Sequence, residues 1–212
     1  MMIDLIKNFF KTDEVYNEDV AKYTKVDGMF AVGYYIFFLV VYYIMGKIYV
    51  EKEIYLGIWC NLGLGILPVI IVKLRKQKLS TLGLSNKKLK KSLVVGTVLG
   101  LLIVFANNVI PGVLSGCHLN QLSKLVYNGF YYFIIIAFVE EIGFRGYIQT
   151  RIYGLIKNKF IGIIIVSFMF SFMHIPFQMA RADTTFFSFI GSNFVWLIIL
   201  LFWHIFFNFL HK

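Results

Sequence analysis

Polar side chains able to do acid–base chemistry are concentrated in the second half of the chain, where they interrupt long apolar stretches. These candidate catalytic residues are Glu140, Glu141, Arg145, His174, His204 and Asn208. Carboxylate and imidazole groups can accept and release protons near neutral pH, and Arg, His and Asn can donate hydrogen bonds to a developing negative charge. The set could support acid–base catalysis, and it contains no serine or cysteine that could act as a nucleophile.

The spacing of these residues assigns them to helix faces. Glu141 and Arg145 are four residues apart, so on a helix they share a face and can form an ion pair. Glu140 points about 100° away from Glu141 and is left without a cation in its own helix, which suits a general acid or base. His204 and Asn208 are also four residues apart and present two hydrogen-bond donors to one side.

The composition places these residues in a membrane protein. Of the 212 residues, 59% are hydrophobic and 15% are charged, against about 45–50% and about 25% in soluble domains. The mean hydropathy is +0.75. The net charge of +10 is therefore better explained by membrane topology than by nucleic-acid binding, and no nucleic-acid partner is expected. The two cysteines, Cys60 and Cys117, have no zinc-ligand spacing and cannot form a disulfide framework.

Six apolar stretches without charged residues have the length of membrane-spanning helices. They cover residues 28–45, 54–72, 92–114, 125–139, 160–177 and 186–210. A helix needs about 20 apolar residues to cross a bilayer, and it satisfies its own backbone hydrogen bonds there. The sequence therefore predicts an all-α polytopic bundle of about six transmembrane helices. Residues 1–27 are predicted to be a cytoplasmic or interfacial tail, and residues 28–212 a single membrane domain.

The distribution of Lys and Arg predicts the orientation of this bundle. With the six stretches as spans, 17 of the 21 basic residues fall in the tail, the second and fourth connections and the C-terminal end. Because positive residues accumulate on the cytoplasmic side, both termini are predicted to be cytoplasmic. The stretch 73–91 contains many basic residues and no acid, which makes anionic membrane lipid a predicted partner.

The candidate residues also fall at similar depths. His174 lies 14 residues into the fifth stretch, about 21 Å along a helix. Glu140 lies 14 residues before Gly154, the predicted end of its helix. If Asn193 marks the outer end of the last helix, His204 lies about 16 Å inward from it. We therefore expect three helices to bring these residues together near the middle of the membrane.

The three motifs resemble the signature of the CPBP family of intramembrane proteases. This family includes the type II CAAX prenyl endopeptidases and bacterial proteins linked to bacteriocin processing and self-immunity. Its motifs EExxxR, FxxxH and HxxxN are matched here by Glu140, Glu141 and Arg145, by Phe170 and His174, and by His204 and Asn208. The resemblance covers roughly residues 125–210. Its specificity lies in the three motifs occurring in this order, each in an apolar stretch.

The resemblance implies a helical membrane endopeptidase that cleaves a peptide bond with an activated water. Glu140 and His174 would activate the water, while His204 and Asn208 would stabilise the oxyanion of the tetrahedral intermediate. The neighbouring Glu–Arg pair would hold Glu140 in place. The implied substrate is a small membrane-associated or secreted peptide or protein at a bacterial cytoplasmic membrane, with a bacteriocin or its receptor as a further candidate partner.

Two features leave alternatives open. Family members usually carry a further helix between FxxxH and HxxxN, whereas here 30 positions separate His174 from His204. The interval 186–210 is therefore either one long helix or a short re-entrant piece, broken at 191–193, followed by a spanning helix. Metal-dependent members have also been described in this family, so Glu140, His174 and His204 form an alternative site for a divalent ion such as zinc. The HExxH motif is absent, and we expect no cofactor.

Other functions would use the same residues. The Glu–Arg pair can be purely structural, and the His and Asn side chains can hydrogen-bond neighbouring helices, as in a non-catalytic membrane immunity protein. A proton-coupled transporter would use intramembrane Glu and His as relay groups. The sequence shows no inverted repeat, which disfavours transport. The intramembrane endopeptidase is the favoured interpretation.

Overall fold

In the computed structural model, which describes residues 14–84, 89–117 and 121–211, every regular element is a helix. Six helices within these ranges are long and apolar enough to cross a membrane, and we number them spans 1 to 6. Their bounds are Lys25–Lys52, Gly57–Leu74, Leu93–Leu114, Ser123–Gly154, Lys159–Arg181 and Phe186–Asn208. The predicted all-α, multi-pass membrane architecture is confirmed.

Span 4 is longer than its apolar stretch because it continues beyond the two acids. It is built from helical segments of different pitch: α Leu122–Phe130, π Tyr131–Ile136, α Ala137–Val139, π Glu140–Ile148, α Gln149–Arg151 and 3-10 Ile152–Gly154. The second π-helix contains the EExxxR motif. Hydrogen bonds in a π-helix skip one more residue than in an α-helix, and such segments are frequent at functional sites.

Span 5 is broken where its motif histidine lies. An α-helix Lys159–Phe172 is followed by a turn, and a second helix, Ile175–Arg181, begins after His174. Pro176 has no N–H group, and its ring would clash with the carbonyl four residues earlier in a continuous helix. The proline therefore accounts for the break beside His174.

Span 6 lies within Phe186–His211, where two helical segments meet at a kink at Asn193, whose backbone angles are non-helical (φ −120°, ψ 17°). The Asn193 side chain donates a hydrogen bond to the Phe189 carbonyl at 3.0 Å. Of the two predicted arrangements, the structure has the interrupted one, with a short helical segment before Asn193 and a longer one after it. Asn193 therefore marks the start of the helical segment that contains His204, as expected.

An aromatic core holds spans 1, 4 and 5 together. Phe144 of span 4 packs edge-on against Phe38 of span 1 and Phe170 of span 5, with ring centroids 5.4 Å apart in each pair. Tyr34 of span 1 donates a hydrogen bond to the Leu64 carbonyl of span 2 at 2.9 Å. Helices in lipid gain little from burying apolar surface, so packing and hydrogen bonds of this kind hold them together. Each aromatic pair contributes about 0.5–1.5 kcal/mol beyond its buried area.

The two ends of the bundle differ in composition. The N-terminal helix Glu14–Ala21, the 3-10 turn Leu79–Leu82 and residues 155–158 lie at one end, which we call the basic end. Residues 53–56 and 182–185 lie at the other, which we call the distal end. With six spans, both ends of the described chain lie at the basic end. The side of the membrane that this end faces stays a prediction.

A buried polar network closes the basic end. Arg151 of span 4 is fully buried and donates hydrogen bonds to the Gln77 side chain at 3.1 Å and the Thr81 hydroxyl at 2.9 Å. Its guanidinium carbon lies 4.4 Å from the centroid of the Tyr23 ring, and burial raises the pKa of Tyr23. Gln77 also donates to the Asp27 carboxylate at 2.6 Å. The network thus ties span 1, span 4 and the connection after span 2 to one another.

The described part of the predicted tail packs on this end. Val20 and Tyr23 are buried, and Asp19 forms an ion pair with Lys78 at 2.8 Å. The hydrogen bond from Lys78 lowers the pKa of Asp19. The remaining parts of the tail and of the basic stretches lie outside the described residues, namely residues 1–13, Lys87, Lys88 and Lys212. The predicted domain boundaries stay a prediction.

Candidate active site

The ring of Phe170 is the point where spans 4, 5 and 6 meet. The His204 ring of span 6 stacks on it with centroids 4.5 Å apart, and the His174 ring packs edge-on at 5.2 Å. From span 4, Phe144 packs against it at 5.4 Å, and the guanidinium carbon of Arg145 lies 5.8 Å from its centroid. The structure thus brings Arg145 and both candidate histidines around one aromatic ring.

At the break in span 5, His174 makes a hydrogen bond that fixes the position of its ring proton. Its Nδ1 lies 2.9 Å from the Phe170 carbonyl oxygen. A carbonyl oxygen can only accept, so Nδ1 carries the proton and Nε2 of the neutral ring presents a lone pair. The ring also packs edge-on against Trp196 of span 6 at 5.6 Å. His174 is therefore held in the tautomer that accepts a hydrogen bond at Nε2.

The two adjacent carboxylates have different surroundings. Glu141 and Arg145 form the ion pair that their spacing predicts, with the Arg145 side chain 4% exposed and that of Glu141 46% exposed. Glu140 is half-buried, and among the described residues its carboxylate has neither a hydrogen bond nor an ion pair. The structure therefore separates a paired acid from one that is available for proton transfer.

Glu140 and His174 lie at the same level of the bundle. Spans 4 and 5 run antiparallel and touch at Phe144 and Phe170. Glu140 is four residues before Phe144, and His174 is four residues after Phe170, so both lie about one helical turn distal to that contact. Within the described chain, no direct hydrogen bond or ion pair joins the two side chains.

His204 and Asn208 lie on one face of span 6, and both are buried. The Asn208 amide nitrogen donates a hydrogen bond to the side-chain oxygen of Gln149 at 3.3 Å. Gln149 is 2% exposed and follows Arg145 by four residues in span 4. Gln149 is not among the candidate catalytic residues predicted from the sequence. Its spacing of four residues from Arg145, which places both on one helix face, could have indicated it.

Two polar atoms near this hydrogen bond are buried without partners. Within the described parts of the chain, they are the Asn208 Oδ1 and Arg145 Nε atoms. A buried polar atom that makes no hydrogen bond costs about 1–3 kcal/mol. Two such atoms on facing spans are therefore a feature that calls for a functional explanation.

Ser171 joins span 5 to span 6 next to the histidines. Its hydroxyl donates a hydrogen bond to the Leu197 carbonyl at 2.7 Å, and both groups are buried. Leu197 lies seven residues before His204, which is about two helical turns. The bond therefore fixes the register of span 6 against span 5, and with it the position of His204 relative to His174.

Among the described residues, no group of three His, Cys, Asp or Glu side chains is found that could hold a metal ion. The alternative of a divalent ion held by Glu140, His174 and His204 stays a prediction. The prediction that the chain uses no cofactor stays a prediction.

The motif-bearing part of the chain matches a known protein family. The family model described as Type II CAAX prenyl endopeptidase Rce1-like matches residues 122–211. This range covers spans 4 to 6 and contains all six candidate catalytic residues. The resemblance predicted from the three motifs is confirmed, and the match supports a CAAX-type protease in a multi-pass integral membrane protein. No curated protein and no solved structure matches the chain.

Proposed function

We propose that this chain, whose residues 122–211 match the Rce1-like type II CAAX prenyl endopeptidase family, is an intramembrane endopeptidase that uses an activated water. The observation that carries the proposal is the convergence of three motif-bearing spans on the Phe170 ring. Arg145, His174 and His204 all contact that ring. A structural role alone would not require three ionisable side chains at one point of an apolar bundle, where each is costly.

In the proposed reaction, Glu140 is the general base. Its carboxylate takes a proton from a water molecule as the water oxygen attacks the carbonyl carbon of the peptide bond. His174 accepts a hydrogen bond from the same water at Nε2, because its Nδ1 proton is engaged by the Phe170 carbonyl. Glu140 and His174 lie level on adjacent spans, which supports a single water held by both side chains.

The attack turns the carbonyl oxygen into an oxyanion, and His204 and Asn208 are proposed to stabilise it. Preorganised hydrogen-bond donors in a site that excludes water are effective because they need no reorganisation during the reaction. The burial of both side chains supports this role. The C–N bond then breaks, and the leaving nitrogen takes the proton held by Glu140, which restores the carboxylate.

Glu141 and Arg145 are proposed to position the base and to balance its charge. Their ion pair fixes the Arg145 guanidinium beside the Phe170 and Phe207 rings, 5.8 Å and 5.0 Å from the two centroids. The Arg145 guanidinium, one helical turn from Glu140, compensates the negative charge of Glu141 next to Glu140. Glu140 is thereby free to change its protonation state during the reaction.

The proposed substrate is a small membrane-associated or secreted peptide at a bacterial cytoplasmic membrane. Two biological roles follow from the resemblance to bacterial members of the family. One is maturation of such a peptide. The other is self-immunity, in which the enzyme would cleave a bacteriocin or the receptor of that bacteriocin. Anionic lipid at the basic end is the proposed membrane partner, supported by exposed Lys73, Lys76 and Lys78.

The test uses purified protein in lipid nanodiscs and a degenerate library of apolar twelve-residue peptides, with cleavage measured by mass spectrometry. We expect the wild type to cleave a subset, and Glu140→Gln and His174→Ala each to lower the rate at least about 100-fold, the range for loss of a general acid or base. Glu51→Gln is the matched control, because Glu51 is exposed at the distal end of span 1. It should cleave like the wild type.

Two outcomes would contradict the proposal. Cleavage that persists in both Glu140→Gln and His174→Ala would assign the activity to other residues or to a contaminant. Bacteriocin protection in cells that is equal for the wild type and Glu140→Gln would instead support the non-catalytic immunity protein.

A further inference from the structure

A polar cavity of about 450 Å³ opens at the distal end, between spans 5 and 6. Its polar lining consists of amide and hydroxyl side chains and one cation: Gln178, Arg181, Thr184, Ser188, Ser192 and Asn193. Its volume falls within the range of about 300–1,000 Å³ that small-ligand sites occupy. The kink at Asn193 and the end of the second helix of span 5 form its walls.

The charges around this cavity favour an anion. Asp183, two residues after Arg181, forms an ion pair with Lys47 at 3.8 Å. Among the described residues, no carboxylate forms an ion pair with Arg181, whose guanidinium carbon lies 5.8 Å from the Tyr49 ring centroid. A guanidinium surrounded by hydroxyl and amide groups matches a carboxylate, which accepts several hydrogen bonds at once.

The cavity is adjacent to the candidate active site. Gln178 follows His174 by four residues, which is about 6 Å along a helix. On the facing span, Trp196 contacts the His174 ring and lies three residues after Asn193. An extended peptide covers about 6 Å with two residues. A peptide whose bond lies at His174 would therefore place a side chain two or three positions away in the cavity.

The opposite end of the bundle is tightly packed where the turn after span 2 meets span 4. The turn Leu79–Leu82 packs against span 4 so tightly that a Cβ at Gly146 would lie 2.6 Å from the Leu82 carbonyl oxygen. The cations Arg75 and Arg151 at this end are already engaged by Asp27 and Gln77. By contrast, His174 is only half-buried and Trp196 is exposed. The surroundings of His174 are thus less tightly packed than the basic end.

We infer that the cavity binds an acidic segment of the peptide substrate, so that the substrate approaches the site from the distal end. The inference rests on the proposed function, and it adds the substrate class and the side of approach. A carboxylate two or three residues from the cleaved bond contacts Arg181 and the hydroxyl groups around it.

The test measures the binding of matched peptides to the Glu140→Gln variant in nanodiscs, where a bound peptide stays intact. The probes are degenerate eight-residue apolar peptides, blocked at both ends, that carry either two Glu or two Gln at one end. We expect the Glu peptides to bind about tenfold more tightly. Adding Arg181→Gln should abolish this preference, and Arg181→Lys should retain part of it. Lys124→Gln is the control, because it removes an exposed charge at the start of span 4 that does not line the cavity.

Equal binding of the two libraries, no binding of either, or a preference that survives Arg181→Gln would each overturn the inference. Nanodiscs of phosphatidylcholine alone are compared with nanodiscs that also contain phosphatidylglycerol. A preference that disappears when the anionic lipid is present would assign the cavity to a lipid head group instead.

Cleavage of the same peptides by the wild-type protein separates this inference from the proposed function. Preferential binding of the Glu peptides without any cleavage would leave the cavity assignment intact and remove the enzyme. Cleavage without a preference for the Glu peptides would leave the proposed enzyme intact and remove the cavity assignment.

Discussion

Gln149 determines how the Asn208 amide is presented to the candidate site. Its side-chain oxygen accepts a hydrogen bond from Asn208 Nδ2 at 3.3 Å in a buried setting, and the same nitrogen also donates to the His204 carbonyl at 3.4 Å. A buried amide that loses its partner can rotate about its last torsion angle and point its donor elsewhere. If Asn208 stabilises the oxyanion, Gln149 acts through it as a positioning residue.

We therefore expect Gln149→Ala to lower kcat about tenfold with little change in KM, because it affects a donor used in the transition state. Asn208→Ala should lower kcat about 100-fold, as loss of one oxyanion donor does. The double variant should be no slower than Asn208→Ala alone, since both changes remove the same interaction. The measurement is a double-mutant cycle of cleavage rates on one library peptide.

Gln121→Ala is the control for this cycle, because Gln121 is exposed before span 4. Thermal unfolding of each variant separates a loss of folded protein from a loss of activity. Additive effects of Gln149→Ala and Asn208→Ala would show that Gln149 does not act through Asn208.

Among the helices, span 5 depends on Pro176 for the position of its histidine. The break after Phe172 frees the Phe170 carbonyl from the regular helical pattern, and the His174 ring binds it at 2.9 Å. Without the proline ring, the backbone N–H of residue 176 could donate to the Phe172 carbonyl, and the helix could continue through His174. That continuation would rotate the imidazole away from the level of Glu140.

Pro176→Ala is thus expected to lower the cleavage rate at least about tenfold while leaving the thermal stability unchanged or raised, since a kinked helix becomes a regular one. Pro111→Ala is the matched control, because Pro111 is exposed in span 3, where none of the residues in the apolar window is buried. A Pro176→Ala variant that is unstable but fully active per folded molecule would refute the link between the break and the chemistry.

The helices themselves were largely predictable from the sequence, and the contacts between them were not. The stretch 186–210 became span Phe186–Asn208, because a lipid-embedded backbone must be satisfied within its own segment and apolar side chains must cover its length. Spacing within one helix also sufficed for the Glu141–Arg145 pair. The contact between Gln149 and Asn208 joins residues 59 positions apart. It depends on the rotation and tilt of two helices, which composition does not fix. The π-helix at Glu140–Ile148 has no sequence signal of comparable strength.

At the scale of the whole molecule, the orientation in the membrane determines which peptides can reach the distal cavity. If the distal end faces outward, peptides outside the cell membrane can reach the site. If the distal end faces the cytoplasm, newly synthesised cytoplasmic peptides can reach it. Because the sequence assigns 17 of the 21 basic residues to the tail, the second and fourth connections and the C-terminal end, and positive residues resist translocation, the basic end is predicted to face the cytoplasm. The peptide that the distal cavity meets is then a secreted or externally exposed one.

Cysteine labelling in intact cells tests this orientation. Cys117 is exposed after span 3 on the distal side, and Cys60 in span 2 can be replaced by Ser to leave one thiol. A membrane-impermeant maleimide should label Cys117 in intact spheroplasts. In a second protein with Cys117→Ser and Ser80→Cys, whose new thiol lies in the exposed turn at the basic end, labelling should require permeabilisation. The reverse pattern would place the cavity in the cytoplasm, and the proposed approach of secreted peptides to the site would then be wrong even if the chain is a protease.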